Sequence, residues 1–373
     1  MRILIEALGI HYTGGGRSAT LNLLEPLFKI DTETQYTVLL SQPEPTLETA
    51  KGNVQQVVAP TRHRLGLRLW AQAVVPLLSR DLDLVHFMKN LSTLGVSAKK
   101  VVTIYDLTIL LYPNLFPSLD VLYWRYIQPK MLHRADQVIA ISNATAQDLQ
   151  QFYRLAPATL STIYPACNSR FEPATEVEIQ RVREKYHLPD QTVIHVGRID
   201  RKKNLPNLMR AFSSFQERSS FDGKLVLVGE EYPKSLDTTL DSTMERLQVR
   251  DDVVFTGPVP SEDLPGLYSS AIMVVFPSLH EGFGLVAVEA MACGTPLIVT
   301  DAGAIREVVR DAAMIVNSPH DVEALSHCML RLWKEPTLRD ELRIRGLQVA
   351  ERFSQEEAAR QTLELYREVI GVK

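Results

Sequence analysis

The chain has 373 residues, 45% of them hydrophobic and 23% charged, with a formal net charge of −4. That length favours two domains over a single core, and the composition is that of a globular chain. No run approaches 18 uncharged apolar residues, which argues against a membrane span, and Cys167, Cys293 and Cys328 lie too far apart for a disulfide framework or a zinc site and suit a reducing cytoplasm.

The charge is uneven. Residues 1–170 carry 16 Lys+Arg against 12 Asp+Glu, and the remainder carries 24 against 32. A mildly basic first half suits an anionic surface or acceptor, although an ordinary fluctuation of composition explains it equally well.

Met1–Leu8 carries Glu6 within its apolar run and lacks a cleavage-site pattern, so it reads as a first strand. Strand patterns continue at Tyr36–Ser41, Gln55–Ala59, Leu84–Phe87, Lys100–Asp106, Gln137–Ser142 and Leu160–Tyr164. Helical patterns fall between them at Gly16–Lys29, Leu65–Leu78, Leu119–His133 and Ala144–Tyr153. Such alternation predicts an α/β domain with a mostly parallel sheet, whose ligands gather at the carboxyl ends of the strands.

Four stretches of this half stand out. Gly9–Ser18 holds Gly14, Gly15 and Gly16 between first strand and first helix, where backbone can approach a ligand closely or simply turn tightly. Arg62–Trp70 is basic and amphipathic. It suits a membrane surface or an anionic acceptor, or else a solvated helix start. Asp81 and Asp83 form an Asp-x-Asp pair, but at a strand's amino end, which disfavours a metal role. Asp106 closes the run Val101–Tyr105 at a strand's carboxyl end, where a carboxylate points toward ligand.

Pro165–Leu188, with its prolines and charged helix Glu176–Tyr186, has the composition of an interdomain linker. The alternation then restarts. Strands are expected at Thr192–Val196, Lys224–Val228, Val253–Thr256, Ile272–Phe276, Pro296–Thr300 and Ala313–Val316, with closing helices at about 320–334, 336–352 and 355–371. The domains are placed at 1–168 and 169–373, and the last helix is a candidate to pack back on the first.

Gly197-Arg198-Ile199-Asp200-Arg201-Lys202-Lys203-Asn204 follows the first of these strands. Four cations in six positions at a strand's carboxyl end suggest a diphosphate clamp. The focus of the chain is Pro277–Pro296: a strand end, a loop with Gly282 and Gly284, then a helix stopped by Gly294 and Pro296. A glycine turn feeding a helix start favours an anion. Glu281 before that helix and Glu289 inside it place one carboxylate on each side, which suits a nucleotide-sugar with hydroxyls at both ends of its diphosphate.

These stretches, with Phe255–Pro260, resemble glycosyltransferase family 4 of the GT-B fold, over nearly the whole chain. The resemblance implies two Rossmann-like doubly wound domains facing across a cleft, and retaining, metal-independent transfer of a hexose from a UDP-sugar or GDP-mannose. The acceptor would be a hydroxyl on a glycan or lipid-linked glycan. The donor is a substrate, so no cofactor is expected, nor any nucleic acid. A cytoplasmic enzyme, with peripheral contact of its amino domain on the inner membrane face, fits this reading.

By the family pattern Arg198 and Lys203 hold the diphosphate, and Glu281 with the backbone of Gly282, Phe283 and Gly284 faces the donor sugar. Backbone at Leu285 and Val286 meets phosphate, Glu289 takes the ribose hydroxyls and backbone near Val259 meets the base. Gly15 and Gly16 match the amino-domain glycine loop, and Asp106 the acid of a His-Asp pair. Arg198, Lys203, Glu281 and Asp106 are thus the catalytic candidates. The chain departs from the pattern at Tyr105, which stands where the family has His. On this reading Lys203→Ala or Glu281→Ala leaves folding intact but lowers transfer by orders of magnitude.

Two other readings stay open: an epimerase or hydrolase of nucleotide-sugars on the same fold, and a non-catalytic nucleotide-sugar or carbohydrate-binding protein. A dehydrogenase is disfavoured because Gly-x-Gly-x-x-Gly is missing after the first strand.

Overall fold

A computed structural model of the protein describes residues 1–11, 14–48, 52–90, 92–231 and 237–372, with the side chain of Arg64 left aside. The chain forms two compact units, residues 1–166 with 354–373, and residues 167–353.

The first unit is built on a seven-stranded sheet in the order β3-β2-β1-β4-β5-β6-β7. Its strands are β1 Arg2–Glu6, β2 Gln35–Leu40, β3 Val54–Val58, β4 Leu84–Phe87, β5 Lys99–Ile104, β6 Gln137–Ala140 and β7 Leu160–Thr162. Every pairing is parallel. Residues such as Ile3, Ile5, Val38, Val85, Val102 and Val138 are wholly buried, as a sheet covered on both faces requires. The expected helix over 119–133 is instead two, Ser118–Tyr126 and Gln128–Leu132. Pro129 is the cause, since its ring cannot donate to the helix and clashes with the preceding turn.

The last helix, Gln355–Ile370, belongs to this first unit. Its Ala358, Ala359, Leu363 and Tyr366 pack with Leu24, Leu27 and Phe28 of the helix Gly15–Ile30. His86 of β4 fixes it further. Its Nδ1 lies 2.5 Å from the Tyr366 hydroxyl and its Nε2 2.7 Å from Thr103 Oγ1. Burial drives the His86 imidazole down to about 3, so it is neutral at ordinary pH.

The second unit carries a six-stranded parallel sheet, β10-β9-β8-β11-β12-β13. Its strands are β8 Thr192–Val196, β9 Lys224–Val228, β10 Val253–Gly257, β11 Met273–Phe276, β12 Leu297–Thr300 and β13 Met314–Val316. In both sheets the strand order reverses beside the first strand, at β1/β4 and at β8/β11, where a doubly wound sheet opens its crevice.

The chain crosses between the units at Ala166 and Cys167, inside the stretch Pro165–Leu188 read as a linker, but the helix Glu176–Tyr186 is part of the second unit, and to that extent the linker reading is corrected. A full capping box at Thr175 and Glu178 starts it. It is fastened to the buried carboxylate of Asp263 by Arg181 at 2.7 Å, Lys185 at 2.5 Å and the Tyr186 hydroxyl at 2.5 Å. Burial pushes the Asp263 carboxyl up, but these donors outweigh it and hold it at about 2, below the ordinary aspartate value of about 3.9. The stability it contributes is therefore complete above about pH 4 and is lost as pH falls toward 2. Asp263→Asn is expected to cost about 2 kcal/mol at pH 7 and to flatten stability over that acid window, as urea unfolding at several pH values would measure.

Candidate active site

Two loops meet at the carboxyl ends of the adjacent strands β8 and β11. After β8 the backbone passes Gly197, at φ +152°. A Cβ there would stand 3.4 Å from both His195 Nε2 and Lys203 Cε. Asp200 then caps the turn Arg201–Lys203 by accepting from the Lys203 amide, and Asn204 leaves it in the left-handed region. Asn204 bolts the two loops together, its Nδ2 donating to Pro277 O at 3.1 Å and to Pro319 O at 2.6 Å. The Leu279 amide adds a bond to Lys202 O at 2.9 Å.

The bolted loops bring cation and carboxylate together. Lys203 Nζ donates to Glu281 Oε1 at 2.7 Å and lies over the Phe276 ring, 4.7 Å from its centroid. Lys202 Nζ stands 3.8 Å from Glu281 Oε2. Burial raises the Glu281 carboxyl, but Lys203 and Lys202 overcome that and hold it at about 2, so it stays ionised. Its backbone is pinned as well, the amide donating to Ala302 O and the carbonyl accepting from the Ala304 amide. Gly303 makes that approach feasible, since a Cβ there would meet Glu281 O at 2.3 Å.

Gly284, at φ +92°, opens the helix Leu285–Ala292. The positive φ favours glycine, and a Cβ at Gly284 would lie 2.3 Å from Ile305 Cδ1, so that side chain would also have to move. Glu289, one turn in, is buried and accepts the Tyr268 hydroxyl at 2.9 Å. Burial lifts its carboxyl to about 7, against the opposing pull of Tyr268 and Arg170. The two carboxylates are thus tuned apart: Glu281 ionised at any ordinary pH, Glu289 titrating near neutrality.

Arg198 follows Gly197 with its Nε 3.9 Å from Asp200 Oδ2, and Val259 follows β10 in the same sheet. The second unit therefore gathers Arg198, Lys203, Val259, Glu281, Gly282, Phe283, Gly284, Leu285, Val286 and Glu289 at one end of its sheet. Gly15, Gly16 and Asp106 belong to the first unit. Gly15 and Gly16 start the helix after β1, and Tyr12 and Thr13 of the same loop lie outside the described residues. Asp106 follows β5 and accepts the Thr108 amide at 2.9 Å.

The Tyr105 hydroxyl is engaged within the first unit. The group lies 3.1 Å from Thr20 Oγ1, which itself donates to Gly16 O at 2.8 Å. Burial raises the Tyr105 phenol, so the ring is neutral and ties the glycine loop to the end of β5. The Asp81/Asp83 pair also has a structural use, since Asp83 Oδ2 accepts the Arg2 amide at 2.6 Å beside the first strand.

Sequence reasoning missed Tyr268 and His195, and it set Lys202 and Asn204 in the clamp stretch without their partners Glu281 and Pro319. The His195 Nδ1 donates to Val275 O at 3.0 Å, and its Nε2 finds no partner among the described residues. Asp148 was missed too: burial first, then the charge of Asp106, raises its carboxyl to about 6.

Comparison with known proteins decides the family. The model described as Glycosyltransferase Family 4 matches residues 19–170, and that described as Glycosyl transferases group 1 matches residues 177–349. The chain is 30% identical over 270 residues to the O-antigen chain mannosyltransferase B of Escherichia coli, covering 72% of this chain and 70% of that protein. The chain belongs to glycosyltransferase family 4.

The serotype-specific mannosyltransferase WbdA of Escherichia coli is also 30% identical, over 59% of this chain, but this family 4 chain covers only 27% of that longer protein. Among solved structures, Anabaena Alr3699/HepE in complex with UDP and glucose superposes with a TM-score of 0.80, over 99% of this chain and 100% of that one, at 19% identity. That likeness is one of fold, GT-B. A family 4 chain is a glycosyltransferase. The group 1 match spans the Arg198–Lys203 and Glu281–Glu289 loops, whereas Gly15 and Gly16 fall just before the family 4 match begins.

Proposed function

We propose that the protein is a retaining, metal-independent hexosyltransferase. It takes its sugar from a nucleotide-diphosphate donor, a UDP-sugar or GDP-mannose, and the mannosyltransferase names of its relatives favour GDP-mannose. The acceptor is a hydroxyl on a glycan or lipid-linked glycan, with peripheral membrane contact through the first unit. The observation that carries the reading is the Lys203–Glu281 pair beside the Gly284 helix start: a poised cation, an ionised carboxylate and outward amides within one bolted loop pair.

In this mechanism the donor diphosphate draws Lys203 toward itself, joined by Arg198 and the amides of Leu285 and Val286. Glu281, relieved of that cation, accepts hydroxyls of the donor sugar, and Glu289 those of the ribose. The bond from the sugar's anomeric carbon to the diphosphate oxygen breaks, and the acceptor oxygen bonds that carbon from the same face. The acceptor's proton passes to a diphosphate oxygen. Negative charge grows on the leaving group, so fixed cations stabilise the transition state more than the ground state.

A thermal-shift panel of nucleoside diphosphates and their sugars tests the reading. GDP-mannose or a UDP-sugar is expected to raise Tm, and transfer to be unaffected by a chelator. Epimer or free sugar formed without acceptor would favour an epimerase or hydrolase on the same fold. Binding without turnover on any acceptor would favour a carbohydrate-binding protein.

A further inference from the structure

The helix Arg64–Leu78 has two apolar faces. Leu67, Ala71 and Val75, spaced by four, are buried in the core of the first unit. Leu65, Leu69, Ala73 and Leu77 repeat the same spacing two residues out of step and are exposed, Leu69 by 63%. Two residues turn a helix by about 200°, so this second stripe looks away from the core.

The helix Ser118–Tyr126 repeats the pattern. Leu119, Leu122 and Tyr126 lie on one face at helical spacing, and Leu119 is 80% exposed. No residue of that helix is buried. The two helices adjoin. Trp70 of one and Trp124 of the other pack on the same core cluster, and the Arg68 guanidinium acts on the Tyr123 phenol, opposing the rise that burial gives it. Single exposed leucines are ordinary, but two neighbouring helices that each turn an apolar stripe outward mark an interaction surface.

The charge around the patch selects its partner. Arg62, Arg68 and Arg125 are exposed beside the leucines. Across both helices Asp120 is the one acid. Leucines flanked by arginines and interfacial aromatics match the boundary between anionic headgroups and acyl chains. No described helix is long and apolar enough to cross a membrane, so such contact lies on the surface.

We propose that the helices Arg64–Leu78 and Ser118–Tyr126 together form a membrane-seating face that holds the first unit on an anionic bilayer through Leu65, Leu69, Leu119 and Leu122. This deepens the peripheral contact proposed above and rests on it, but not on the donor chemistry.

The test is co-sedimentation of the full chain with vesicles of phosphatidylcholine alone and of phosphatidylcholine mixed with phosphatidylglycerol. The wild type is expected to pellet with the mixed vesicles, far less with the neutral ones, and to be released by salt. Leu65→Gln/Leu69→Gln/Leu119→Gln/Leu122→Gln should weaken partitioning about tenfold or more. Arg68→Ser and Arg125→Ser should each weaken it about fivefold. The leucine variant should keep its nucleotide-induced rise in Tm, so loss of vesicle binding is separable from failure of the transferase reading. Any of three results would overturn the proposal: wild type that ignores anionic vesicles, a leucine variant that pellets as well as wild type, or wild type that self-associates without vesicles while the leucine variant stays monomeric.

Discussion

Lys203→Met lowers sugar transfer about 100- to 1000-fold, the loss expected when one fixed donor to a developing negative charge is removed. The loss falls mainly on kcat, because the diphosphate carries its growing charge in the transition state. Stability falls too. Lys203 is the closer of two cations on buried Glu281, and breaking a buried pair costs about 3 kcal/mol. The expectation that such a change leaves folding intact is therefore revised by the buried pair. Pairing Lys203→Met with Glu281→Gln should restore much of the Tm and none of the transfer. A Lys203→Met enzyme with wild-type kcat would remove the lysine from the leaving-group site.

Glu281→Gln separates binding from chemistry in the opposite sense. The amide keeps the shape of the carboxylate but exchanges one acceptor oxygen for a donor NH2 and loses the charge, so it releases the Lys203 ammonium, now held at 2.7 Å. Nucleoside diphosphate affinity should therefore rise severalfold in calorimetry, since phosphate no longer competes with Glu281 for the cation. Transfer should still fall about 100-fold, because the sugar hydroxyls lose a charged acceptor. Weaker nucleotide binding in this variant would mean that Glu281 grips the nucleotide and not the sugar. By contrast, Glu289→Ala is expected to weaken nucleotide binding roughly 10- to 100-fold, as for hydrogen bonds to a charged group, with a smaller effect on kcat.

The fold was legible because parallel strands buried on both faces read as continuous Val/Ile/Leu runs, and β8 to β13 fall within a residue or two of their expected places. The Glu281 loop was legible for a different reason. Glycines that must adopt positive φ, such as Gly284, punctuate the sequence visibly. What stayed hidden was whatever acts across distance. Tyr268 holds Glu289 from 21 residues away, Asn204 reaches Pro319, and Tyr105 spends its hydroxyl on Thr20. No spacing rule encodes such partnerships. The outward leucines of Ser118–Tyr126 were missed because 119–133 scans as one amphipathic helix until Pro129 divides it. The segment 165–188 has a linker's composition, and only the Asp263 contacts reveal its helix as part of the second unit.

The first unit is assembled from two stretches separated by the whole of the second. During synthesis the second unit, being continuous, can close on its own as it leaves the ribosome. The earlier half must wait, its Leu24–Phe28 surface uncovered, until residues 354–373 arrive. A premature stop before Ser354 would thus leave an intact second unit beside a first unit short of its last helix, and the chaperone demand of this chain should centre on residues made first.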